Sequence, residues 1–116
     1  MLFTERIPPR VFSASPDESD ATRDCGTVAL SANEQVTFAE SASGADHTDV
    51  TRKEWGYYLT RSCNDYQTRN GWRTAIIRNG AGRTYVVLVA LEEMAGFDRF
   101  LADSGHRVVL WVDELE

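Results

Sequence analysis

The sequence predicts an α+β domain in which a mostly antiparallel β-sheet packs against one helix of the C-terminal half, about Leu91–Ser104, in the order β-β-β-β-β-α-β. Three observations predict it. Arg73–Arg78 and Arg83–Ala90 are apolar, β-branched runs on either side of Asn79-Gly80-Ala81-Gly82, whose glycines adopt positive φ cheaply and so suit a hairpin turn. Leu91, Met94, Phe97 and Leu101 then recur at helical spacing, with Phe100 broadening the stripe. Finally Arg107–Val112 returns to a β-rich run after Gly105, which stands where a left-handed C-terminal cap belongs.

The elements follow in order. Residues 1–23 are expected to form a partly ordered arm with at most one edge strand, because Pro8, Pro9 and Pro16 cannot donate to a ladder. Residues 24–116 are expected to form one α+β domain. Gly26–Leu30 and Gln35–Ala39 read as strands, and the turn formers Ser31–Glu34 between them suggest a hairpin. A polar loop over Glu40–Asp46 precedes a third extended run, about Thr48–Leu59, in which Gly56 suggests a bulge or the close approach of another backbone. In the later hairpin, Tyr85, Val87 and Val89 alternate with Val86, Leu88 and Ala90, so the second strand is apolar on both faces and is expected to be central. Glu92 and Glu93 complement the dipole of the helix they open, and the helix crossover would set the last strand parallel to Arg83–Ala90.

Composition excludes several classes of function. A chain of 116 residues has room for one core, and 42% hydrophobic with 26% charged residues is ordinary for a folded protein. A net charge of −6 speaks against a general nucleic-acid coat, which is driven by phosphate neutralisation. No apolar run approaches the ~20 residues of a membrane span, and Met1–Pro9 has no apolar signal core. Cys25 and Cys63 make neither a metal spacing nor a disulfide framework, so a reduced, cytoplasmic protein with no cofactor, nucleic acid or membrane is expected.

The charge is not evenly spread. Between Arg52 and Ala90 stand Arg52, Lys53, Arg61, Arg69, Arg73, Arg78 and Arg83 against only Glu54 and Asp65, while both flanks are acidic. Trp55, Tyr57, Tyr58, Tyr66 and Trp72 interleave with these cations. Arginine recognises carboxylate and phosphate in bidentate fashion, and an aromatic face stacks on a sugar, a base or a guanidinium. One reading is therefore a pocket for an anionic small molecule formed by Tyr58, Arg61, Asn64, Arg69, Trp72 and Arg73. The other is that Trp55, Tyr57 and Trp72 are core and the arginines pair with the acidic flanks. Cys63 with His47, His106 and Asp65 invites a thiol-nucleophile reading, but no local signature supports it and no catalytic residue is assigned. His47 and Asp49 could supply two metal ligands where three or four are needed, so no metal is expected.

Asp24–Val28 with Glu34–Phe38, then Asp49–Tyr58, and later Arg73–Asn79, Tyr85–Val89 and Val108–Asp113, resemble a family of small uncharacterised bacterial proteins whose genes often lie near surface-polysaccharide biosynthesis clusters. After Tyr58 the chain has Thr60-Arg61-Ser62-Cys63-Asn64-Asp65 where that family has a Thr-Pro-Ser-x-Asn-Gly loop. The resemblance implies an accessory protein binding an anionic sugar or sugar nucleotide, and it carries no known catalytic residue. The alternatives are a homodimeric protein-interaction module, of the kind a mobile gene cassette encodes, and a small enzyme using Cys63 or Asp65. A homodimer is expected in any case, because one helix and a small sheet cannot cover both faces of the Tyr85–Ala90 run.

Overall fold

The computed structural model describes residues 1–12, 21–40 and 46–116. The part of the N-terminal arm around Pro16 and the centre of the Glu40–Asp46 loop lie outside the described residues. The architecture is α+β, with antiparallel strands and one main helix in the C-terminal half. The chain falls into two compact units, Met1–Val36 with Val50–Tyr58 and Thr37–Asp49 with Leu59–Glu116.

In the first unit β1 (Leu2–Phe12) pairs antiparallel with β2 (Thr22–Ala29). Their register shifts between Glu5 and Arg10, the stretch that holds Pro8 and Pro9, where the ladder loses its donors. Asp24 accepts from Arg10 Nη2 at 2.6 Å beyond that irregularity. The pairing corrects one expectation: β2 and β3 (Gln35–Ala39) are not partners. Asn33 and Glu34 instead bond to Arg52, N to O at 2.7 Å and O to N at 2.9 Å, which commits β3 to β4 (Asp46–Lys53). The expected single run over Thr48–Leu59 is also corrected. It turns at Glu54-Trp55, so that β4 and β5 (Gly56–Thr60) form a hairpin in a sheet of order β3-β4-β5. Gly56 follows this turn and, among the described residues, meets no neighbouring backbone, since a Cβ there would find nothing within 4 Å.

Gly26 is the glycine that does meet another backbone. Its φ is 157°, and a Cβ would lie 2.3 Å from the Thr4 carbonyl oxygen and 2.9 Å from the Phe3 ring. Gly26→Ala must therefore push β1 and β2 apart. Protection of the β1–β2 amides against hydrogen exchange is expected to fall by about 1–3 kcal/mol. Unchanged protection would show that the two strands do not approach so closely.

In the second unit a single helical turn, α1 (Tyr66–Arg69), leads into β6 (Trp72–Asn79). β7 (Thr84–Ala90) returns beside it with Arg78 opposite Thr84 and Trp72 opposite Ala90. A 3₁₀ turn at Leu91–Glu93 opens α2 (Met94–Ser104), which ends at Gly105 in the left-handed conformation expected of it, φ 69°. β8 (His106–Trp111) then pairs antiparallel with β6, so it runs parallel to β7 with β6 between them. The expectation of a central Tyr85–Ala90 strand is overturned. The sheet order is β7-β6-β8, so β6 is the interior strand and β7 an edge. The reason lies in the connections: the tight turn keeps β7 on one side of β6, and the helical crossover delivers β8 to the other. Ala75 and Ile77 of β6 and Val89 of β7 are the buried apolar side chains among the described residues. Phe97 of α2 meets the Trp111 ring edge-on at 5.9 Å, covering the same face.

Candidate functional site

A carboxylate in the middle of a β-strand is poorly solvated and needs partners. Asp49 of β4, 8% exposed, has them on both neighbouring strands. Thr37 Oγ1 of β3 donates to its Oδ1 at 2.6 Å, and Thr60 Oγ1 at the end of β5 donates to Oδ2 at 3.3 Å. Arg61 Nε, the next residue along, donates to the same oxygen at 3.2 Å. The Thr37 hydroxyl, more than the Arg61 guanidinium, holds the Asp49 carboxyl below its ordinary range against the opposing effect of burial. A carboxylate so stabilised is a weak general base at neutral pH, and its evident role is to fix Arg61.

Arg61 is held from the other side as well. Its Nη1 donates to the Tyr66 hydroxyl at 2.5 Å, and its guanidinium carbon stands 4.7 Å from the centre of that ring. The one-turn helix α1 positions Tyr66, with the Ser62 hydroxyl accepting from the Tyr66 amide at 2.8 Å. Arg61 lines a cleft of about 210 Å³ together with Thr48, Thr60, Cys63, Gln67, Thr74 and the Val86–Leu88 stretch of β7. The floor is internally bonded: Thr74 Oγ1 donates to Gln67 Oε1 at 2.6 Å, both side chains buried. Cys63 carries a free thiol at the wall. Among the described residues no group of three His, Cys, Asp or Glu side chains could hold a metal ion, and the side chain of His47 lies outside them.

The other sequence-predicted residues lie elsewhere. Arg73 donates through Nε to both Asp113 oxygens, at 3.0 and 3.2 Å, and through Nη2 to Glu114 at 3.1 Å. It also lies over the Trp111 ring at 4.1 Å, and Asp113 first, then Glu114, raises its already high pKa. Arg69 pairs with Asp65 one helical turn back at 2.7 Å, and Asn64 is exposed in the turn before α1. Trp72 lines a separate cleft of about 410 Å³ with Glu40, Asn70, Gly71, Leu91 and Glu92. Tyr58 belongs to the first unit, where its ring stands edge-on to Trp55 at 6.5 Å. The five candidates of the second unit are thus spread over several places. Arg61 and Arg73 engage carboxylates of the acidic flanks, as the ion-pair reading expected, whereas Arg69 pairs with Asp65 inside the basic segment itself. Trp55 and Tyr57, which that reading made core, are exposed.

Sequence reasoning gave Asp49 only a metal-ligand role and gave none to Thr37, Thr60 or Gln67. The available signal was an acidic residue inside the β-branched run Thr48-Asp49-Val50-Thr51, a position that calls for partners when it falls on the buried face of a strand. No family model, curated protein or solved structure matches the chain. No helix among the described residues is long and apolar enough to cross a membrane.

Proposed function

We propose that the protein is an interaction module that works as an assembly of its own copies. The carrying observation is the disposition of its apolar side chains. Ala75, Ile77 and Val89 are buried, whereas Trp55 is 73% exposed and Tyr57, Tyr58, Leu59, Tyr85, Val86 and Phe100 are exposed with it. A chain of this size that leaves so many large apolar groups in water has surface suited to a partner. Sedimentation is expected to show a dimer at micromolar concentration. A monomer throughout that range would end this reading.

A second reading, an anionic sugar or sugar nucleotide bound in connection with surface-polysaccharide metabolism, is favoured by one feature: Arg61 is fixed at the wall of a cleft whose lining combines Thr48, Thr60, Thr74 and Gln67 with the aliphatic Leu59 and Val86–Leu88. Titration with glucuronate or inorganic phosphate tests it. On this reading Arg61→Lys, which keeps the charge and loses the planar fork, weakens binding about tenfold, or about 1.4 kcal/mol. Absence of binding to the parent protein defeats it.

A further inference from the structure

We propose that the open edge of β7 pairs antiparallel with β7 of a second copy across a two-fold axis, giving a continuous sheet of order β8-β6-β7-β7-β6-β8. This rests on the assembly reading above and names its surface.

The backbone defines that edge. Asn79 N donates to Arg83 O at 3.0 Å and Leu91 N donates to Gly71 O at 2.8 Å, and both pairs continue the β6–β7 register. In an antiparallel ladder successive residues point their N–H and C=O alternately toward and away from the partner strand. Arg83 and Leu91 face β6, and so do Tyr85, Val87 and Val89. The amides and carbonyls of Thr84, Val86, Leu88 and Ala90 therefore point outward, and among the described residues no strand pairs with them. Natural sheets protect such an edge with proline, lysine, a bulge or an inward charge. Thr84–Ala90 has none of these, and its register with β6 is unbroken. Val86, at the middle of the edge, is 67% exposed.

The strand is also complementary to itself. With Val87 on the axis, Thr84 stands opposite Ala90 and Val86 opposite Leu88 of the second copy, all in the outward-facing phase. The exposed Arg83 then lies opposite Leu91 of the second copy and next to its exposed Glu92 and Glu93. The symmetry repeats this opposite-charge contact at both ends. Directly opposed residues share a face, so Val87 and Tyr85 of the second copy, opposite Val87 and Val89, extend the groove of about 440 Å³ that Val87–Ala90 form with Gly96, Phe97 and Phe100 of α2. Pairing makes β7 an interior strand, which accounts for a sequence apolar on both faces.

Two variants test the surface in sedimentation equilibrium of the whole chain. Val86→Pro removes a donor from the outer edge and none from the β6 ladder. It is expected to raise the dimer dissociation constant at least ~10-fold, the effect of losing about 1.4 kcal/mol. Arg83→Glu is expected to weaken the dimer, and adding Glu92→Arg with Glu93→Arg in the same chain to restore it. That rescue is the arm that a folding defect in Val86→Pro leaves intact. A parent dimer indifferent to Val86→Pro and to charge reversal overturns the β7 surface and leaves the assembly reading standing. A monomeric parent overturns both.

Discussion

Ile77→Ala is expected to lower the stability of the second unit by about 3 kcal/mol. Truncating a buried branched aliphatic loses its transfer free energy and leaves a cavity that a sheet interior collapses into only partly. Ile77 is 2% exposed on the interior strand, held between Tyr85 of β7 and Val108 of β8. Urea titration in dilute solution should show a lower midpoint at unchanged slope. Val109→Ala, at an exposed site on β8, should cost less than about 1 kcal/mol. Equal losses at both positions would mean that β6 is not the centre of the core.

Asp49→Asn is expected to cost about 2–4 kcal/mol. The amide keeps the shape but loses the charge facing Arg61, and its NH2 group must point either at Arg61, which can only donate, or at the Thr37 hydroxyl, which must then turn from donor to acceptor. The variant should also change the response to acid. Because the folded carboxyl is held below its ordinary value of 3.8, Asp49 stabilises the folded state fully above that pH. The contribution disappears as pH falls below 3.8 and through the folded-state value. The parent should lose stability there more steeply than the variant. Parallel profiles for the two would show that Asp49 is not stabilised by the fold.

The later half of the fold was legible because its signals are local. A glycine-rich turn joined β6 to β7, an apolar stripe marked α2, and Gly105 marked its end. Beyond that turn pairing is not local: the last strand does run parallel to β7 as expected, but other pairings were misread. Ser31–Glu34 looked like a hairpin turn between β2 and β3, whereas Asn33 and Glu34 bond to Arg52 and so join β3 to β4. The β4–β5 turn was missed because Glu54-Trp55 is not a turn former by composition. α1 was missed because a four-residue helix has no period to detect. The central position of β7 was inferred from its two apolar faces, a pattern that a strand completed by a second copy would share. At the candidate site the arginines were visible, but their partners were not. Arg73 meets Asp113 and Glu114 some forty residues on, and only the folded sheet selects those carboxylates from the many available.

The order β7-β6-β8 also has a meaning in chain entropy. The β6–β8 ladder closes a connection roughly six-fold longer than the one that closes β6–β7, which costs about 1.5 kcal/mol more for a flexible chain. The connection is not flexible throughout, because α2 takes up eleven of its residues as a stiff spacer. The amphipathic helix thus shortens the loose tether on which β8 must find its place, in addition to covering the sheet.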